Sequence, residues 1–208
     1  KSFMQGLRKI CDQHGILLIF DEVQAGFGRT GKWFSFQHFD VVPDIMTVAK
    51  GLASGMPLAG VFSRKELMDK WVPGSHGGTY GGNAVAAAAA VATIRAMKSE
   101  KMLENAIERG AQLKRGLQHL QEEFPIIGDV RGLGLMIGSE FRTPDRKPDK
   151  KTAKDVVHTC LDKKLMLLTC GTWDNTIRWI PPLIVSKEEI DLALSIFHDS
   201  LKEVVSKS

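Results

Sequence analysis

Three residues of this sequence have types and spacing that could support catalysis. Lys50 stands 50 − 21 = 29 residues after Asp21, and Thr79 follows Lys50 by 79 − 50 = 29 residues. Lys50 comes directly after a short apolar run, where burial would favour the neutral, nucleophilic amine. A carboxylate such as Asp21 can hold a proton on a ring nitrogen, and the glycines around Thr79 suit close approach to a phosphate. Alone, Lys50 would be interpreted as a strand-end lysine; with Asp21 and Thr79 it predicts a catalytic role.

Short apolar runs predict the strands that position these residues. Ile16–Phe20 is uninterrupted and follows a glycine, which predicts a strand buried on both faces in a mainly parallel sheet. Asp21 then falls at the carboxyl end of this strand, the edge where open α/β sheets bind ligands. Ile45–Val48 predicts a second strand that ends just before Lys50, and Leu58–Phe62 predicts a third.

Apolar periodicity and capping residues predict the remaining elements. Helices are expected over 3–14, 83–97, 103–124 and 152–164, and a last one is expected after the capping box of Ser186 and Glu189, while later strands are expected over 133–141, 165–168 and 177–180. Asn83 is the expected N-cap of the second helix. Pro125 and Gly128 break the long helical pattern. We therefore predict a large-domain segment over 1–124 and a small α+β domain over 125–208.

Composition excludes several classes of function. The 208 residues are 43% apolar and 25% charged, as in ordinary globular proteins. The net charge is only +4 and the basic residues are scattered along the sequence, so no nucleic-acid partner is expected. The six histidines are isolated and the three cysteines have no metal or redox spacing, so we expect no metal site and a reducing compartment. No stretch resembles a signal peptide or a membrane span, so no membrane partner is expected.

Two glycine patterns could be mistaken for nucleotide sites. Gly26–Lys32 fits the G-x-x-x-x-G-K spacing of a phosphate-binding loop, but Trp33 stands where Ser or Thr must hold Mg²⁺. This loop also follows an acidic strand end instead of leading from a strand into a helix. Gly132, Gly134 and Gly138 lie in a strand-like segment, and they predict a bend in a sheet rather than a dinucleotide site.

Longer motifs carry a family resemblance. The run Leu17–Gly31, LLIFDEVQAGFGRTG, closely resembles the signature of class III (omega-type) aminotransferases. Further motifs of that family occur in the family's order at 43–51, 55–60, 77–83 and 128–134. The resemblance extends to the last helix and is nearest to the 4-aminobutyrate aminotransferases. It implies a type I fold that binds pyridoxal 5'-phosphate (PLP), of which these residues would be the C-terminal half.

The resemblance also implies roles for individual residues. Asp21 would pair with the pyridine nitrogen of PLP, Val23 would pack on its ring, and Gln24 would reach its ring hydroxyl. Lys50 would be the Schiff-base lysine and would then carry the proton between substrate and cofactor. Thr79 would bind the cofactor phosphate of a neighbouring subunit, which implies a homodimer.

The implied reaction transfers an amino group from a 4-aminobutyrate-like amine or amino acid to a 2-oxo acid such as 2-oxoglutarate. Arg178 would bind the substrate carboxylate through two parallel hydrogen bonds. A PLP-dependent racemase or epimerase of the same family, or a non-catalytic fragment, remains an alternative. Because the family's upstream phosphate loop and stacking aromatic residue are not found here, we expect an incomplete site. A cytoplasmic location is expected, or the mitochondrial matrix if a transit peptide precedes Lys1.

Overall fold

A computed structural model describes residues 1–207 of the chain. The helices run over Ser2–His14 (α1), Lys65–Met68 (α2), Ala84–Ser99 (α3), Met102–Glu123 (α4), Lys150–Asp162 (α5) and Lys187–Ser206 (α6). The strands run over Ile19–Asp21 (β1), Ile45–Val48 (β2), Gly60–Ser63 (β3), Ile127–Leu133 (β4), Met136–Phe141 (β5), Leu168–Cys170 (β6) and Thr176–Trp179 (β7). The chain folds into two compact units, and the division between them falls between Leu103 and Glu104.

The sheet of the first unit has the order β1-β2-β3. Strands β1 and β2 are parallel, and β3 is antiparallel to β2. The sheet is therefore mixed, whereas the sequence predicted a mainly parallel one. Asp21 pairs with Thr47 at the end of β1, and Lys50 follows the end of β2 by two residues. The parallel pairing thus brings Asp21 and Lys50 to the same edge of the sheet, as their spacing predicted.

The prediction that the first strand is buried on both faces was wrong. Strand β1 alternates, since the side chain of Ile19 is 56% exposed and that of Phe20 is 8% exposed. Phe20 belongs to a small core with Leu18 and Cys11 of α1, so the helix covers only one face of the strand. Among the described residues, no comparable cluster covers the side chain of Ile19.

The second unit is an antiparallel sheet with helices packed on it. The strand order is β4-β5-β7-β6, and every neighbouring pair is antiparallel. One core joins Leu113 and Leu117 of α4 to Ile137, Ile177 and Phe197 of β5, β7 and α6. Because the buried stripe of α4 belongs to this core, the predicted domain boundary at 124/125 lies inside the second unit, well after the division at 103/104.

Several local predictions are confirmed. The Asn83 side chain accepts a hydrogen bond from the backbone N–H of Ala86 at the start of α3. Ser186 and Glu189 form both hydrogen bonds of the predicted capping box on α6. Gly132 has a φ of +142°, next to the β4–β5 hairpin turn, and an added Cβ would clash with the carbonyl oxygen of Met136. A close approach of backbone of this kind is one reason for a glycine within a strand.

Candidate functional site

The amine of Lys50 is fixed at the carboxyl edge of the first sheet. Its Nζ donates a 2.6 Å hydrogen bond to Oε1 of Gln24. Lys50 has a φ of +44°, a left-handed conformation that a side chain with a Cβ rarely adopts. Such strain persists only where surrounding structure imposes it, and it is frequent at functional sites. The side chain is exposed, whereas the sequence predicted a desolvated amine, because none of the described residues covers this edge.

The carboxylate of Asp21 is held in place by its neighbours on the same edge. Its Oδ1 accepts a 3.0 Å hydrogen bond from the backbone N–H of Val23 and a 3.3 Å hydrogen bond from Oγ1 of Thr47. Both contacts use Oδ1, and Oδ2 accepts no hydrogen bond from the described residues. The carboxylate is therefore oriented by the protein while one oxygen stays open to a ligand.

Thr47 is a contact that the sequence analysis missed. It lies in β2 directly opposite Asp21 in the parallel register. The only signal in the sequence is a hydroxyl residue within the otherwise apolar run Ile45–Val48. That signal becomes interpretable once the register of the two strands is known.

The donor set of this edge fits PLP. A carboxylate can hold the proton of a pyridine nitrogen, an amide can bind a ring hydroxyl, and a primary amine can bond to the cofactor's carbonyl carbon. The structure brings Asp21, Gln24 and Lys50 to one edge, with Val23 in the turn that directly follows β1. Thr79 lies apart from them in an exposed loop, and no hydrogen bond joins it to these residues in the described part of the chain.

Arg178 lies in the second unit, in the middle of β7. Its neighbours in the sheet are Gly138 and Leu168. The side chain lines a cavity of about 620 Å³ that is otherwise lined mainly by apolar residues, among them Trp179 and Ile180. Its Nε is buried and has no hydrogen-bond partner among the described residues. A buried guanidinium N–H without a partner costs free energy, so this group is suited to binding an anion such as a carboxylate.

Comparisons with known proteins identify the family of the chain. The family model described as "Aminotransferase class-III" matches residues 1–201. The chain is 45% identical over 205 residues to the 5-aminovalerate aminotransferase DavT of Pseudomonas putida, covering 98% of this chain and 48% of that protein. It is 46% identical over 204 residues to the 4-aminobutyrate aminotransferase GabT of Escherichia coli K12, with 97% and 48% covered.

A solved structure extends the likeness to three dimensions. A transaminase from the marine bacterium Virgibacillus superposes with a TM-score of 0.93 at 33% identity, covering 99% of this chain and 49% of that one. Together, the fold and the edge formed by Asp21 and Lys50 define part of a type I PLP-dependent transferase. The chain belongs to the class-III aminotransferase family, whose members are PLP-dependent enzymes. It spans about half the length of the curated relatives that it matches.

The structure contributes two further findings on ligands and membranes. Within residues 1–207, no three His, Cys, Asp or Glu side chains are grouped closely enough to hold a metal ion. None of the helices in the same range combines the length and apolar character that a membrane crossing requires.

Proposed function

We propose that the full-length protein transfers an amino group from a 4-aminobutyrate-like amine or amino acid to a 2-oxo acid such as 2-oxoglutarate, with PLP as cofactor. The observation that carries this proposal is the convergence of Asp21, Gln24 and Lys50 at one sheet edge. The names of the two curated relatives support a substrate whose amine lies at the far end of the chain from its carboxylate.

PLP supplies an electron sink that stabilises negative charge on the substrate carbon. Asp21 would keep the ring nitrogen protonated, because its oriented carboxylate can pair with the N–H. Gln24 would bind the ring hydroxyl through its amide, and Val23 would pack on the ring. Together these three residues would hold the cofactor at the ends of the strands.

Lys50 has two roles in the proposed reaction. Its Nζ, held at the sheet edge by Gln24, would hold the cofactor covalently. The same amine, once released, would act as the base and acid that moves the substrate proton.

Arg178 and Thr79 complete the proposal. The planar guanidinium of Arg178 would bind a substrate carboxylate through two parallel hydrogen bonds, and its buried Nε–H would thereby gain an acceptor. Thr79 binds the cofactor phosphate of a second subunit, so the active form is a homodimer. The exposure of the Thr79 loop supports this role, because a residue that serves a partner must reach the surface.

The test is acceptor dependence in the full-length protein. We expect PLP absorbance that changes on addition of 4-aminobutyrate and returns on addition of 2-oxoglutarate, with glutamate as the product. Inversion of a chiral amino acid without any oxo-acid acceptor would instead establish the racemase alternative. A folded protein without PLP absorbance would establish the non-catalytic alternative.

A further inference from the structure

The sequence Asp21-Glu22 places two acids at the end of β1 with opposite surroundings. Asp21 is exposed at the candidate site, whereas Glu22 is only 1% exposed. Glu22 directly follows β1, and its backbone N–H donates to the carbonyl oxygen of Thr47 in β2 at 2.9 Å. The extended pairing thus continues to Glu22, and successive side chains of such a segment point to opposite sides, which explains the contrast. Burying a carboxylate costs on the order of several kcal/mol unless hydrogen bonds compensate for the lost hydration. Glu22 has a defined set of partners that provide such hydrogen bonds, and no role in the proposed reaction accounts for it.

The partners of Glu22 all lie at the far end of the loop that follows it. Its Oε1 accepts hydrogen bonds from Oγ of Ser35 at 2.7 Å and from the backbone N–H of Phe36 at 3.0 Å. Its Oε2 accepts a hydrogen bond from the backbone N–H of Ser35 at 3.0 Å. The carboxylate thus joins the end of β1 to the start of a short 3-10 helix, Ser35–His38.

The main chain of Glu22 also holds the near end of this loop. Its carbonyl oxygen accepts a 2.9 Å hydrogen bond from the N–H of Gly26. A Cβ at Gly26 would lie 2.7 Å from that same oxygen, so only glycine permits the approach. Val23 and Gln24 lie inside the turn that this bond closes.

We propose that Glu22 is a positioning residue, which closes the loop between β1 and the 3-10 helix and so holds Val23 and Gln24 in place for the cofactor. The proposal rests on the proposed function, in which both residues contact PLP. A carboxylate is required, because its two oxygens accept three hydrogen bonds from donors. An amide has one acceptor oxygen and one NH₂ donor. In one orientation its NH₂ would face the N–H of Ser35, and in the other it would face the two donors that now bind Oε1, so a donor would meet a donor in either case.

The test uses PLP binding to the full-length protein in the Glu22→Gln variant. We expect the Kd for PLP to rise about tenfold or more, since a hydrogen bond to a charged group is lost and a donor is left facing a donor. We also expect weaker visible circular dichroism per bound PLP, because this signal reports how the ring is held. Ser35→Ala removes one of the three hydrogen bonds and should give a smaller change in the same direction.

Leu117→Ala is the matched control for loss of stability alone. Leu117 is fully buried in the core of the second unit, so its truncation should lower the melting temperature without changing PLP affinity or dichroism. Wild-type affinity and dichroism in Glu22→Gln would overturn the proposal. If Glu22→Gln does not fold, unchanged PLP binding by Ser35→Ala overturns it instead. Failure of the wild-type protein to bind PLP would overturn the proposed function, and this inference with it.

Discussion

The amine of Lys50 and the side-chain oxygen of Gln24 lie 2.6 Å apart, although the two residues are separated by 26 positions in the chain. The parallel pairing of β1 and β2 produces this proximity, because Gln24 follows the end of one strand and Lys50 the end of the other. The contact defines the point at which the amine of Lys50 is held. Asp21, at the end of β1, belongs to the same sheet edge.

Asp21→Asn tests whether the charge of this carboxylate is needed. The asparagine oxygen can still accept the hydrogen bonds of Val23 and Thr47, so the local fold should be retained. Without the negative charge, the ring nitrogen loses its ionic partner. We expect PLP to remain partly bound while kcat falls by about a hundredfold or more.

Asp69→Asn is the control for Asp21→Asn, because it removes an exposed carboxylate on the surface of the same unit. Its kcat should equal that of the wild-type protein. Near-native turnover in Asp21→Asn would show that Asp21 is only a strand-end acid.

Arg178→Lys tests the proposed carboxylate contact. Lysine keeps the charge but cannot form two parallel hydrogen bonds. We expect kcat/KM for amino acids and oxo acids to fall by roughly tenfold to a hundredfold. Simple amines without a carboxylate should lose little in their own half-reaction. Equal losses for both substrate classes would indicate a structural role for Arg178.

Asp44 is predicted to make stability depend on pH. The backbone N–H of Leu18 and then the guanidinium of Arg8 hold the pKa of Asp44 below its usual value, against the opposing effect of burial. A carboxyl group with a lowered pKa stabilises the fold above its unfolded-state pKa, and this stability is lost as pH falls through the folded-state value.

Asp44→Asn should therefore lower the free energy of unfolding at pH 7 by about 1.5–3 kcal/mol. The difference from the wild-type protein should begin to shrink below pH about 4, the unfolded-state pKa of an aspartate, and should vanish as pH falls through the lower folded-state pKa of Asp44. Urea unfolding of both full-length proteins, from pH 7 down into this acidic range, measures the difference. Asp69→Asn, which breaks only the exposed pair with Lys65, should cost less than about 1 kcal/mol. A pH-independent difference would contradict this account.

The sequence predicted the parts of the fold that depend on residues close together in the chain. The N-cap of Asn83 and the capping box of Ser186 and Glu189 are local patterns, and both are present. The placement of Asp21 and Lys50 followed from two short apolar runs and from the rule that open α/β sheets bind ligands at the carboxyl ends of their strands. The family and its cofactor followed from longer motifs, and the family model matches residues 1–201.

The features that the sequence did not predict depend on contacts between distant residues. Glu22 and Ser35 are 13 positions apart, and their hydrogen bonds depend on how the intervening loop folds. The exposure of Ile19 depends on what packs against the sheet, which an apolar run does not specify. The division of the chain into two units near Leu103 depends on which hydrophobic core the buried face of α4 joins. Pro125 and Gly128 mark only the place where that helix ends.

Borohydride reduction of the PLP-loaded full-length protein, followed by peptide mapping, tests most directly whether Lys50 carries the cofactor. Reduction converts the bond between the lysine and PLP into a stable secondary amine, which survives digestion. We predict a single labelled peptide that contains Lys50, and no label in the Lys50→Arg variant. A label on any other lysine in the wild-type protein, with Lys50 unmodified, would contradict the account.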